Sequence, residues 1–381
     1  MIYLDHHAST TVRPEALERL LASLSEGPGN PHVDTHRAGA GKSRQLECAR
    51  EAIAKTTGFL PGDVIVTSGA TESNNLIVAG LASALREQGR PGIVTLSTEH
   101  KCILEAVHRE RAAGSELHEL PVDSHGYAVV PEDLDWDRVG LLCVMGANNE
   151  IGTISALPVS IVDQARSRGV LAHCDAAQLP GRVPLRALLA RFDSVSLSGH
   201  KFGAPTGIGV LIARRSVRLR LQPHHVGGGQ QAGLRSGTVP VALATSFAAA
   251  LAAADGRVGE DGPRLRRLAE QFCSELESRD VAFVLRGPAL QERLPGNLNI
   301  TFTGVDAMAL SFNLREKVAF SLGAACQTKE ILPSHVLVAI GLSEVDVEQT
   351  VRFGFGWDNT DDEVSKAAAM VAAAVTELRQ I

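Results

Sequence analysis

Lys201 ends the run Ser196-Leu197-Ser198-Gly199-His200-Lys201, and Asp175 opens Asp175-Ala176-Ala177-Gln178 a short way before it. A buried lysine amine can condense with an aldehyde to a Schiff base. An aspartate at a strand end can keep a pyridine nitrogen protonated, which turns the ring into an electron sink. Together the two residues predict a pyridoxal 5'-phosphate site and carbanion chemistry on an amino acid.

Other residues suit such a site. Gly69-Ala70-Thr71 stands between an apolar run and a helix-like one and offers free N–H groups and a hydroxyl to a phosphate, although it also reads as an ordinary capped helix start. Ser198 and His200 could bond the same phosphate from the other side. His100, in Ser97-Thr98-Glu99-His100-Lys101, is placed to stack on a flat ring and to move protons near neutrality. Asn148-Asn149 and Gln178 could hydrogen-bond a phenolate and a carboxylate, while paired asparagines also suit a turn. Arg352 is a planar cation inside the apolar run Thr350-Val351-Arg352-Phe353-Gly354. It fits either a substrate carboxylate or an internal salt bridge.

Cys326 lies in Gly323-Ala324-Ala325-Cys326-Gln327-Thr328-Lys329, small and polar residues that predict a loop. A thiol exposed there beside Lys329 would be partly thiolate and nucleophilic, although cysteines in such turns can also be incidental. Cys143 and Cys174 fall in strand-like runs and read as small core hydrophobes. Six cysteines in 381 residues, with no Cys-x-x-Cys spacing, suggest reduced thiols rather than a disulfide framework or a zinc site.

The elements that must position these groups are legible as alternation. Short β-branched runs at 64–67, 93–96, 141–144, 170–173 and 194–197 are separated by helical patterns such as 158–168, which predicts an α/β fold with a parallel sheet covered on both faces. Ligands of such sheets collect beyond the carboxyl ends of the strands. Residues 67–71, 97–100, 175–178 and 198–201 all follow strand candidates, so one crevice should gather them. Composition shifts near 252–256 and 287–288, and a long amphipathic helix at 263–278, a strand at 298–302 and a terminal helix at 361–379 predict a smaller α+β domain. The division expected is a large domain over 14–255, with residues 1–13 and 256–381 forming the small one.

At 381 residues and 44% apolar content the chain can fill two cores, and its net charge of -6 offers no footprint for nucleic acid or an anionic membrane. No run of eighteen apolar residues and no leader-like start appear, so a cytoplasmic address is expected. The arginines between Arg214 and Arg220 read as a solvated face or a partner contact. Dinucleotide binding is disfavoured, because Gly207-Ile208-Gly209 and Gly227-Gly228-Gly229 lack the Gly-x-Gly-x-x-Gly context.

Read together, these stretches and others along the chain (Tyr3-Leu4-Asp5, Gly29-Asn30-Pro31, Gly227-Gly228-Gly229-Gln230, Arg235-Ser236-Gly237-Thr238, Pro295-Gly296-Asn297-Leu298-Asn299, Pro333-Ser334-His335-Val336) resemble the cysteine desulfurases of the class V aminotransferase family, in its nitrogenase-associated and iron–sulfur-cluster branch. The resemblance implies the fold type I architecture of pyridoxal-phosphate transferases with a mainly parallel seven-stranded sheet. It also implies a homodimer that converts L-cysteine to L-alanine and passes sulfur to an acceptor protein.

By the same resemblance Lys201 carries the cofactor, Asp175 faces its pyridine nitrogen and Gln178 its phenolate. Ala70, Thr71, Ser198 and His200 surround its phosphate, and Thr238 reaches the phosphate of the neighbouring subunit. His100 stacks over the ring, Asn149 and Arg352 hold the substrate carboxylate, and Cys326 becomes the persulfide-forming nucleophile on a moving loop. Departures stand at His6-His7, at Leu322 and Ala324, and at Gln231-Ala232 in place of a common Glu-Gly pair. The end at Ile381, soon after the terminal helix, implies a specialised acceptor such as a thiocofactor, natural-product or DNA-sulfur pathway. A cystine or selenocysteine lyase without a persulfide, and a silent partner protein on the same fold, are the alternatives to a desulfurase.

Overall fold

A computed structural model describes the backbone of residues 1–155, 160–327 and 330–380, with side chains except those of 160, 324–327 and 330–332. Seven strands form the main sheet in the order Val64–Thr67, Gly209–Ala213, Ser194–Ser198, Leu171–Asp175, Val139–Met145, Gly92–Leu96, Glu116–Leu120. Gly209–Ala213 runs antiparallel to both neighbours, and the other four pairings are parallel. The expected strands are all present within a residue or two. Two were not anticipated. Glu116–Leu120 is a half-exposed edge strand of mixed polarity, and Gly209–Ala213 follows glycines that masked its apolar run.

Central strands such as Val139–Met145 are buried along their whole length, as a sheet covered on both faces requires. One face packs on the helices Arg37–Thr57 and Val241–Gly256, the other on Ala70–Glu87 and Lys101–Ala112. The free side of Val64–Thr67 is blunted by a side chain. Gln231 Oε1 accepts from the Val66 N–H at 2.7 Å and its Nε2 donates to the Val66 carbonyl at 2.9 Å, which pairs a strand edge that would otherwise be open.

A further core draws on Leu4 and on residues 265–375. It covers a four-stranded sheet in the order Ser321–Leu322, Thr350–Gly354, Asn297–Thr301, Val284–Leu285. The helix expected at 263–278 begins earlier, at Val258, and runs to Glu277. Pro263 lies inside it and forgoes one backbone bond rather than starting the helix. The terminal helix Asp361–Leu378 starts on a Thr360/Glu363 capping box. Ile2–Tyr3 pairs in parallel with Val318–Ala319 and Asp5 bridges to Gly354, so the first residues of the chain are stitched to its last third.

The stretch around Cys326 differs from expectation. Its backbone is not an open loop: Ala324–Gln327 pairs antiparallel with Glu330–Pro333, placing Cys326 opposite Ile331. The Cys326 side chain, Thr328 and Lys329 lie outside the described residues, as do 158 and 159 of the helix expected at 158–168, which is described as Ser160–Ser167.

Candidate active site

A cavity of about 390 Å³ opens at the carboxyl ends of the parallel strands. It is lined by Ser68, Gly69, Ala70, Thr71, His100, Cys102, Met145, Ala147, Asn149, Asp175, Ala177, Gln178, Ser198, His200, Lys201, Thr206 and Gly207. Nine of the residues singled out from sequence thus meet in one place. The strand-end rule accounts for the convergence, because all nine end or follow one of five strands, Val64–Thr67, Gly92–Leu96, Val139–Met145, Leu171–Asp175 and Ser194–Ser198.

Asp175 is the last residue of Leu171–Asp175 and is buried. Its Oδ2 accepts from Asn74 Nδ2 at 2.7 Å and its Oδ1 from the Ala177 N–H at 3.1 Å. Asn74 is itself fixed from behind, since its Oδ1 lies 3.0 Å from His173 Nε2 and His173 Nδ1 lies 2.9 Å from Ser194 Oγ. Burial pushes the His173 imidazole down to about 4 against the pull of Asp175, so the ring is neutral at pH 7.

Lys201 ends the tight turn Gly199–Lys201 after strand Ser194–Ser198. Its Nζ donates to the carbonyls of His7 and Ala8, both at 2.8 Å. Burial first, then the nearby Arg352 cation, push the amine down to about 8. A lysine so shifted holds a sizeable nucleophilic fraction near neutrality.

The helix Ala70–Glu87 begins on Gly69, which caps no N–H with a side chain. Its first donors therefore face the cavity unclaimed, beside Ser198 and His200, and form an anion cradle. Strand Gly209–Ala213 passes directly beneath. A Cβ at Gly209 would stand 2.5 Å from Gly69 Cα, so only glycine allows this approach. The His200 imidazole is pushed down to about 4, by burial and then by Lys201.

His100 is the N-cap of helix Lys101–Ala112. Its Nδ1 accepts from the Cys102 N–H at 3.2 Å and lies 3.0 Å from Cys102 Sγ, which leaves the ring proton on Nε2. Burial lowers its pKa; Asp175 works against that and Lys201 with it. Cys102 escaped the sequence reading although it lines the cavity. Burial and then Asp175 push its thiol up to about 12, so it is an S–H group rather than a nucleophile. Beneath it, Glu99 Oε1 accepts from the Met145 N–H at 2.6 Å and Oε2 is buried without a partner among the described residues. Burial, then Asp175, hold that carboxyl well above its ordinary range, in the neutral form.

Two expected site residues among those described, Thr238 and Arg352, do not line the cavity. Thr238 is exposed on the surface. Arg352, in strand Thr350–Gly354, spends its Nη2 on Asp5 Oδ1 at 2.8 Å and Ser321 Oγ at 2.6 Å, and its Nη1 on the Asn149 carbonyl at 3.2 Å. The internal salt bridge is therefore present. The side chain of Cys326, the remaining expected site residue, lies outside the described residues. Asn148 serves a turn, accepting from the N–H groups of Glu150 and Ile151, and Asn149 alone of the pair lines the cavity. Cys143 and Cys174 are fully buried in strands, as read from sequence.

The family described as Aminotransferase class-V matches residues 2–366. The chain belongs to that family. The cysteine desulfurase IscS of Rickettsia prowazekii (strain Madrid E) is 35% identical to this class V family member over 382 aligned residues, covering 100% of this chain and 92% of that one. A solved structure named NifS-like protein superposes with a TM-score of 0.88 at 30% identity, covering 99% of both chains. A structure of SspA in complex with cysteine gives a TM-score of 0.78 at 31% identity, over 93% of this chain and 99% of that one. The α/β fold type I expected from the sequence is the fold found. No single helix among the described residues is long and apolar enough to cross a membrane.

Proposed function

We propose that this class V family member is a pyridoxal-phosphate-dependent cysteine desulfurase, which converts L-cysteine to L-alanine and moves the sulfur to Cys326 and then to an acceptor protein. One observation carries the reading: a lysine amine of lowered pKa, a buried carboxylate and an uncapped helix start face one cavity. Each matches a different part of the cofactor, namely aldehyde, pyridine nitrogen and phosphate. The likeness to IscS and to a relative solved with cysteine supports the substrate.

Bound through its aldehyde, pyridoxal phosphate supplies an electron-poor ring that absorbs charge developing at the substrate Cα and weakens the bond to the β-substituent. The chain's own groups would do the rest. Ala70 and Thr71 at the helix start, with Ser198 and His200, hold the phosphate. Asp175 keeps the pyridine nitrogen charged, Gln178 faces the phenolate and His100 covers the ring. Lys201, as the free amine, takes the proton from Cα and returns it. Arg352 Nε is buried without a partner among the described residues, an open donor that with Asn149 suits the substrate carboxylate.

The sulfur step balances without an oxidant. The substrate C–S bond breaks as an S–S bond forms to the Cys326 thiol, whose proton ends on the carbon that becomes the alanine methyl. Thr238, exposed and outside the cavity, supports a site completed by a second copy of the chain in a homodimer.

The test is incubation of the cofactor-loaded protein with L-cysteine, with assay of alanine and sulfide and mass analysis of the Cys326 peptide for one added sulfur. Alanine in step with a Cys326 persulfide is the expected result. Full turnover by Cys326→Ala would replace the desulfurase with a lyase.

A further inference from the structure

His7 stands where the sequence departs from the family's usual residues, and it is fully buried. It touches Gln178 twice. His7 Nδ1 lies 3.1 Å from Gln178 Oε1, and Gln178 Nε2 donates to the His7 carbonyl at 3.0 Å. The same carbonyl accepts from Lys201 Nζ at 2.8 Å. One residue near the start of the chain therefore grips two cavity residues that lie far from it in sequence.

The hydrogen-bond chemistry fixes the orientation of the amide. A carbonyl only accepts, so the atom of Gln178 on the His7 carbonyl is the amide nitrogen. The amide oxygen then faces the imidazole, and His7 Nδ1 must carry the ring proton. Burial, aided by the Arg182 and Arg352 cations, holds the imidazole far below its usual pKa, so it has one proton to give. The approach of Nε2 to the Gly296 carbonyl, at 3.3 Å, is correspondingly long. With one N–H of Gln178 spent on the His7 carbonyl, the second is left for the cavity that Gln178 lines.

We infer that His7 is a positioning residue whose ring locks the Gln178 amide, so that the free N–H of Gln178 is presented to the phenolate oxygen of the bound cofactor. This rests on the cofactor reading above. A glutamine side chain has three rotatable bonds and an amide that can turn over. Without the imidazole, only one of the two anchors remains.

The readout is spectroscopic. A donor on the phenolate stabilises it most when the neighbouring lysine linkage has lost its proton, because the oxygen then bears its charge alone. Losing the donor must raise the pH midpoint at which the absorption band of the lysine-bound cofactor changes. In the loaded protein, His7→Leu, which fills the volume without a donor, should raise that midpoint by about half to one pH unit. His7→Asn, which restores a donor, should bring it most of the way back. Gln178→Ala should raise it as far as His7→Leu does, and the double variant no further.

A midpoint unchanged in His7→Leu or in Gln178→Ala, or shifts that add in the double variant, would overturn the inference. Should His7→Leu not fold, Gln178→Ala and His7→Asn decide it, because neither removes the packing of the core. Failure of the wild type to develop any cofactor band would instead overturn the cofactor reading itself.

Discussion

Asp5 Oδ1 and Arg352 Nη2 stand 2.8 Å apart, and Ser321 Oγ bridges them, donating to Asp5 at 2.8 Å and accepting from Arg352 at 2.6 Å. The guanidinium is nearly buried, with 9% of its side chain exposed, so its charge depends on that carboxylate. Asp5→Ala would leave a buried cation unpaired. A loss of about 2–3 kcal/mol of stability in urea unfolding is expected, and less for Asp5→Asn, which keeps an acceptor oxygen. Arg352→Lys, lacking the planar fork, should raise KM for L-cysteine more than it lowers kcat.

Lys201 gives a pH test of the cofactor-free protein. Its amine titrates at about 8 in the fold, against 10.5 for an ordinary lysine. Between those values the unfolded chain binds more protons than the folded one, so stability must rise with pH across that window. Below pH 8 both states are protonated and the cost of burying the cation is fully present. Lys201→Met should abolish the slope and stabilise the cofactor-free protein at pH 7 by on the order of 1–3 kcal/mol, and it should take up no cofactor. Chemical denaturation at a series of pH values checks both.

His100 is held neutral, with Nδ1 committed to the start of a helix. Its pKa is lowered, so the acid limb of kcat/KM should fall below pH 6.5 rather than at it. His100→Gln, which cannot titrate, should lose that limb and lower kcat by roughly 10²-fold. The pH profiles of the two proteins decide the matter.

Ala232 adopts φ 58°, a left-handed backbone that glycine tolerates and alanine resists. Ala232→Gly should therefore stabilise the protein by about 0.5–1 kcal/mol in urea unfolding, even though the unfolded chain gains freedom. Gln231 beside it is also left-handed, at φ 53°, and the Val66 bonds of its side chain offset that strain. Gln231→Ala should be destabilising for the same reason.

Lys201, Asp175, His100 and Thr71 were legible in the sequence because strand-end groups carry their neighbours' signature locally. Asn74, Cys102 and Glu99 were not. Asn74 acts from a helix interior, Glu99 from the turn after strand Gly92–Leu96 and Cys102 from the first turn of helix Lys101–Ala112, where an asparagine, a glutamate or a cysteine reads as ordinary packing or surface, and only the folded sheet brings them to the cavity. The contributions of His7 and Asp5 depend on contacts across most of the chain, which no local pattern encodes. The strand Gly209–Ala213 was hidden by its own opening glycine, which is required for its approach to Gly69.

The stitching of the first residues to the last third of the chain also sets a clock on biosynthesis. Lys201 leaves the ribosome well before Gly354 and Arg352, the partners of Asp5. A nascent chain stalled near residue 320 carries the reactive amine but lacks the strand Thr350–Gly354 that anchors Asp5, and with it the segment whose His7 and Ala8 carbonyls hold that amine. The onset of yellow colour during translation should thus coincide with release of the finished polypeptide.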